Sequence, residues 1–442
     1  MPDKILILGA GPAGLFCGYE LQKHGKKPML IEKESSPGGL CRTIKHDKFK
    51  FDFGPHIFFT KNKYLNGIIV ENNAFGRMLK HEWRVMQYLE NNFLIYPNKL
   101  PELIRKLGVK RCAKFFLSYL QSIGKKSSTN FKDYIYSKLG KSFADFNVIN
   151  YTEKMWGIQS KELSSEWIKD RTDRLSFIRA IAQSLSSKKK HFYYPVEGLG
   201  AMYNNIAKTQ NIKYKSRLSK ISYKKNKIQS ITASSKTIKC DSLVSSIPLD
   251  EFIKLLSPKA PVKVVNAVQS LRYRSQIYLV LAIDKKIAIG SNWIYFPESK
   301  ISFARIYEPK TFSLQMSPHS KTSLVIEFFC FKGDSLWNMK DKDLYEFTLK
   351  HLNIMNIANK AEIIWYKTIR LEKAYPLLDS SYMQNLKIIN SYLNSFKNLK
   401  LIGRHGLFAY DNQDQAAMSG IAAAREILGQ QAECKEKEFI DL

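Results

Sequence analysis

Long apolar runs are missing from this chain of 442 residues: no stretch approaches the roughly 20 apolar residues of a membrane span, so no transmembrane segment is expected. The run near the start, Ile5-Leu6-Ile7-Leu8, has Asp3 and Lys4 before it and glycines after it, which reads as a core strand and not a secretory signal. Cysteine is scarce. The six (Cys17, Cys41, Cys112, Cys240, Cys330, Cys434) lack metal-ligand or redox-pair spacing, as expected of reduced thiols in the cytoplasm. The eight histidines form no zinc pattern, so no metal is expected. There is no Ser-His-Asp or Cys-His constellation and no paired-carboxylate glycosidase site, so the chain offers no obvious nucleophile of its own. Internal repeats and low-complexity linkers are also lacking. Acidic residues are few, 39 against 70 Lys and Arg, giving a net charge of +31. Such a charge suits nucleic acid, an anionic membrane or a phosphorylated small molecule. The lysines are dispersed, in short clusters such as Lys188-Lys189-Lys190 and Lys224-Lys225, and no nucleic-acid motif accompanies them. An anionic nucleotide is therefore the expected partner, nucleic acid is not, and peripheral membrane contact is a further option.

What is present begins with Gly9-Ala10-Gly11-Pro12-Ala13-Gly14, between a strand-like run and an amphipathic pattern carrying Leu15, Phe16, Tyr19 and Leu21. Glycines in that context let backbone N–H groups approach a pyrophosphate at a helix N-terminus. A second apolar strand, Met29-Leu30-Ile31, ends in Glu32 with Lys33 behind it. Glu32 lies where a carboxylate can accept hydrogen bonds from the ribose hydroxyls of an adenosine. Directly after comes Ser36-Pro37-Gly38-Gly39-Leu40-Cys41-Arg42-Thr43. A Gly-Gly-x-x-Arg turn suits a flavin protein, with Arg42 near the phosphate and Gly39 and Leu40 in close passage. FAD is the expected cofactor.

The expected fold class is α/β, a Rossmann-like FAD-binding domain interleaved with a helical domain and an antiparallel-sheet substrate domain. Residues 1–80, 191–247 and 395–430 are assigned to the FAD-binding domain, 81–190 to a helical lid, 248–394 to the antiparallel sheet and 431–442 to a polar tail. Helical periodicity covers 101–123 and 130–149, and alternating apolar stretches at 276–283, 292–296, 303–307 and 323–330 read as strands. A chain that is 44% hydrophobic can bury the cores this division needs.

Several blocks resemble UDP-galactopyranose mutases, within the broader group of amine-oxidase and protoporphyrinogen-oxidase-like flavoproteins. Gly54-Pro55-His56-Ile57-Phe58-Phe59-Thr60 is similar to the family's histidine loop, and Tyr151-Thr152-Glu153-Lys154-Met155-Trp156-Gly157 to the block receiving uridine. Asn292-Trp293-Ile294-Tyr295 and Phe303-Ala304-Arg305-Ile306 match further blocks, and Gly403-Arg404-His405-Gly406 with Tyr410 and Asp414-Gln415 is the most specific match. The resemblance implies that Gly54 and His56 lie against the isoalloxazine, with Gly403, Arg404, Asp414 and Gln415 closing the flavin site. It implies that Tyr151 stacks on uracil beside Trp156, and that a mobile-loop Arg171 reaches the diphosphate. It further implies that Arg305 and Arg404 neutralise that diphosphate while Tyr375 and Tyr410 donate to it. His56, Arg305, Arg404 and Tyr410 are thus the expected catalytic group. The sequence departs from the pattern at Asn412, where bacterial members carry a carboxylate, and at Leu175-Ser176-Phe177, where asparagines and aromatics are expected.

Two functions stay open on this reading. In the first, reduced FAD, acting through N5, interconverts pyranose and furanose forms of a UDP-linked sugar. In the second, an FAD-dependent oxidase or dehydrogenase acts on an amine, a porphyrinogen or an isoprenoid.

Overall fold

The computed structural model describes residues 3–124, 130–165, 177, 181–182 and 190–430. Five short strands gather from across the chain into one parallel sheet, in the order Leu399–Leu401, Ser242–Ser245, Ile5–Leu8, Met29–Ile31, Asn211–Lys213. Ile5–Leu8 is buried at every position, as a strand covered on both faces must be. The helix Pro12–Lys23 leaves this strand through the glycine turn and packs along the closing helix Gln413–Ile427, so the two ends of the sequence form one layer. A second, smaller sheet (Leu218–Lys224, Lys227–Ala233, Lys236–Lys239, Leu256–Ser257) caps one side.

The third body is a seven-stranded sheet, ordered Ile363–Pro376, Tyr273–Ile283, Thr322–Cys330, Arg305–Tyr307, Trp293–Tyr295, Val85–Leu89, Asn92–Tyr96. All its junctions are antiparallel except Trp293–Tyr295 with Val85–Leu89. Ile277, Leu279, Ile326 and Phe328 point from one face onto the helix Asp341–Ile354, where Leu344 and Leu352 meet them. The opposite face carries a register row, Gln87, Tyr295, Arg305, Glu327 and Tyr278, each directly beside the next. Residues in register share a face, so these polar side chains crowd together on the side of the sheet that looks toward the glycine turn.

Helices Leu100–Leu107, Val109–Leu120, Phe131–Leu139 and Asn150–Trp156 close the remaining side. The continuous pattern over 101–123 is broken by Gly108, whose φ of +84° no helix accommodates. The helical assignment of 81–190 needs correction at its start, because Val85–Leu89 and Asn92–Tyr96 belong to the seven-stranded sheet. Residues 431–442 lie outside the described residues. Among the described residues, no helix is long and apolar enough to cross a membrane, and no three His, Cys, Asp or Glu are placed to hold a metal.

Candidate functional site

A cavity of about 1260 Å3 runs from the glycine turn, past the register row, to the helical layer. At its inner end Gly11 caps the helix Pro12–Lys23 without any side-chain cap, which leaves the first N–H groups of the helix turned to the cavity. A Cβ built on Gly11 would meet nothing nearer than the Gly39 Cα at 3.9 Å, so the space above the turn is open to a ligand. Gly9, Pro12, Ala13, Lys33, Leu40 and Arg42 line the same space. The Glu32 carboxylate accepts from Ala10 N at 2.7 Å and Glu34 N at 2.9 Å, one bond to each oxygen, leaving a second lone pair on each. A helix N-terminus beside a carboxylate at the next strand end is a donor and acceptor set that fits the pyrophosphate and ribose of FAD. Arg42 also pairs with Glu34 at 3.1 Å.

Three expected cofactor residues stand behind this wall. Gly14 packs under the Gly9 carbonyl, Gly54 lies against Glu327, and Gln415 turns back to the backbone. The Gln415 Oε1 accepts from Asn412 N at 2.9 Å, closing a capping box in which the Asn412 side chain accepts from the Gln415 backbone. The Gln415 side chain is thus engaged in the cap of the closing helix through its amide oxygen. Gly403, His56 and Asp414 do line the cavity. Asp414 sits in the first turn of the closing helix, and burial pushes its carboxyl up to about 6. His56 follows Gly54, whose φ is +97°. Its Nδ1 is buried without a partner, and burial with Arg404 and Arg305 nearby pushes the imidazole down to about 3.

Further out, Arg404 is gripped on three sides. Its Nε and Nη2 donate to Asp411 O at 2.9 and 2.6 Å, and Nη1 to Ala374 O at 3.1 Å. The guanidinium stacks 4.6 Å from the Tyr375 ring and 5.9 Å from Tyr410, while Trp156 meets Tyr410 edge-on at 5.5 Å. Tyr151 meets Tyr295 at 5.1 Å. Burial raises the Tyr151 and Tyr375 phenols, which keeps them protonated as donors. Arg305 is not a free cation. Its Nε and Nη2 both donate to Glu327 Oε2, at 3.0 and 2.6 Å, and Glu327 is fully buried. Burial opposes the Arg305 charge, but Glu327 holds it well above the ordinary range. Tyr151, Trp156, Arg305, Tyr375, Arg404 and Tyr410 all border the one cavity, whereas Arg171 lies outside the described residues.

Sequence reasoning missed Glu327 and Gln413. Glu327 sits in a strand buried at every position, Thr322–Cys330, where an isolated carboxylate signals a buried partner. Gln413 donates to Ile57 O at 2.7 Å and accepts from Tyr203 Oη at 2.8 Å, tying the closing helix to the histidine loop, and nothing in the sequence announces it.

The architecture has many relatives. A solved structure of reduced UDP-galactopyranose mutase superposes with a TM-score of 0.85 at 21% identity, covering 98% of this chain and 96% of the other. A redesigned putrescine oxidase superposes at 0.68 with 13% identity over 97% and 99%. By sequence the chain is 28% identical to the UDP-galactopyranose mutase of Mycoplasma genitalium over 35% of its own length and 40% of the relative's. It is 23% identical to the L-amino-acid oxidase of Crotalus adamanteus over 67% and 63%. The chain thus spans less than half the length of the curated mutases it matches. The family described as flavin containing amine oxidoreductase matches residues 12–428, and the chain belongs to it.

Proposed function

We propose that this protein is a flavin-dependent mutase that interconverts the pyranose and furanose forms of a UDP-linked sugar, UDP-galactose or a close analogue. One observation carries the reading: a single cavity joins the glycine turn to two guanidiniums, Arg305 and Arg404, ringed by Tyr151, Trp156, Tyr375 and Tyr410. An apolar amine or isoprenoid has no use for that ring, whereas a diphosphate has. When bound, reduced FAD supplies the nucleophilic chemistry that the chain's own side chains do not.

Each residue then has a task. The open N-terminus of the helix Pro12–Lys23 and Glu32 hold the cofactor's pyrophosphate and ribose. Tyr151 stacks on the base, and Trp156 walls the same pocket. Arg305 and Arg404 meet the diphosphate with planar forks, each charge-assisted bond contributing about 1.5–3 kcal/mol. Tyr375 and Tyr410 donate their hydroxyls to it. His56, kept neutral, offers a hydrogen bond without a third positive charge beside the two arginines. Asp414 sets the electrostatics at the start of the closing helix, whose positive end faces the cavity.

The test is anaerobic: chemically reduced protein is given UDP-galactofuranose and the products are separated. Many turnovers to the pyranose without net electron consumption are expected, and no pyranose product would overturn the proposal. One feature favours a second reading. The outer arm of the cavity is apolar, with Leu103, Phe115, Phe131, Ile135, Leu139 and Phe143, as an oxidase of apolar substrates requires. Stoichiometric oxygen uptake with hydrogen peroxide release on adding an amine would support that alternative.

A further inference from the structure

Gln87 stands in the register row one strand beyond Tyr295 and two beyond Arg305. It is 1% exposed, borders the cavity, and its Nε2 is buried without a hydrogen-bond partner. Trp83, four residues earlier on the same cavity wall, leaves its indole Nε1 in the same condition. Buried donors in native proteins are almost always satisfied, and an unsatisfied one costs stability that a well-packed apolar residue would not. Two such donors on one wall therefore point to a ligand that supplies acceptors.

We infer that Gln87 Nε2, supported by Trp83 Nε1, donates to neutral oxygen acceptors of the bound nucleotide sugar outside its diphosphate, and so selects the substrate. The inference rests on the nucleotide-sugar reading of this cavity. Three considerations narrow the ligand's chemistry. The indole N–H can only donate, which excludes a donor group on the ligand at that point. Both donors are neutral, so they suit carbonyl or hydroxyl oxygens, while the phosphate charge already has the guanidinium forks. Strands lie about 4.8 Å apart, which puts Gln87 roughly 10 Å from Arg305 along the row, beyond the reach of a phosphate held there. The acceptor is accordingly either a carbonyl of the base or an oxygen of the sugar.

The experiment uses reduced holoenzyme and three variants, Gln87→Leu, Gln87→Met and Trp83→Phe, titrated separately with UDP and UDP-galactose. The Gln87 variants keep the shape of the wall and delete the donor, whereas Trp83→Phe deletes the donor and also trims a ring packed against Phe192 and Trp293. Gln87→Leu and Gln87→Met should weaken UDP-galactose roughly 5- to 30-fold. If UDP weakens equally, the acceptor is on the uridine; if UDP is unaffected, it is on the galactose. Trp83→Phe should act in the same direction. Thermal unfolding of the two Gln87 variants without nucleotide separates binding from structure, because deleting an unsatisfied donor should leave Tm unchanged or raise it. Unchanged affinity for both nucleotides in the Gln87 variants, or weaker binding accompanied by a lower Tm, would overturn the inference. Wild-type protein that binds neither nucleotide would overturn the nucleotide-sugar reading itself.

Discussion

Arg305 donates twice to one oxygen of Glu327, and the other oxygen, Oε1, is buried without a hydrogen-bond partner. This pair alters what an Arg305 substitution measures. Arg305→Ala deletes a diphosphate ligand and also strands a buried carboxylate, which costs about 3–5 kcal/mol of stability when a partner is removed. Urea unfolding of Arg305→Ala should therefore show a large loss alongside the loss of UDP affinity. The double variant Arg305→Ala/Glu327→Gln should recover most of the stability and none of the affinity. Wild-type UDP binding in that double variant would remove Arg305 from the site. Arg305→Lys should rescue poorly, since an ammonium cannot reproduce the two-pronged contact. Arg404→Ala is expected to weaken UDP too, by deleting a guanidinium from the diphosphate, and it also releases Asp411 O and Ala374 O from their donor.

At the scale of elements, the closing helix depends on Asn412 for its cap. Its side chain caps the helix and its backbone N–H takes the Gln415 amide oxygen. Asn412→Ala should lower stability by about 0.5–2 kcal/mol in denaturant unfolding. Asn412→Asp should keep the cap, and its charge at a helix N-terminus should leave stability equal or slightly higher. If both variants unfold like wild type, the cap contributes nothing. The opening turn gives a complementary test: Gly11→Val fills the open space above Gly39 and should abolish flavin binding, read as loss of the yellow absorbance. The opening turn was also the most legible element, because a glycine turn between strand and helix is a local pattern. The strand Ile363–Pro376 was not legible. It is an edge strand whose Lys367, Arg370, Glu372 and Lys373 interrupt the apolar alternation. Val85–Leu89 and Asn92–Tyr96 form a hairpin whose place in the sheet was hidden, since it depends on the pairing of Val85–Leu89 with Trp293–Tyr295, some 200 residues away. The site was legible as a set of residue types, but not as a network: the Glu327 partner of Arg305 depends on strand register, which spacing does not reveal.

At the scale of the whole molecule, Asp52, Asp414, His56 and His405 are among the groups that should shape the response of flavin-free protein to pH, with Glu327 raised by burial and His81 lowered by it in the same senses. Burial pushes Asp52 and Asp414 up to about 6. Burial, with Arg404 second, pushes His56 and His405 down to about 3. An acid with a raised folded pKa takes up a proton on folding, so between roughly pH 4 and 6 it adds stability as pH falls. A histidine with a depressed folded pKa excludes one, so from roughly pH 6.5 down to 3 it removes stability as pH falls. With two of each, their contributions oppose one another between pH 6 and 4, and the profile from these groups should be nearly flat there. Asp52→Asn should unbalance them, giving a stability that declines by up to about 1.4 kcal/mol per unit as pH drops from 6 to 4. Urea midpoints measured across that range decide the matter; a variant as flat as wild type would contradict the assignment.

The parallel sheet is completed by Leu399–Leu401, which pairs with Ser242–Ser245 beside the strand at residues 5–8. A growing polypeptide consequently cannot assemble this layer until some 400 residues after the first strand have left the ribosome. At about 5–20 residues per second, the first glycine turn waits on the order of 20–80 seconds for the strand and helix that cover it. During that interval the apolar first strand and the helix after it are exposed, and chaperone capture is the expected fate of the nascent chain. Ending translation after residue 397 should give a product that stays colourless and is quickly degraded, even though every residue of the opening turn is present.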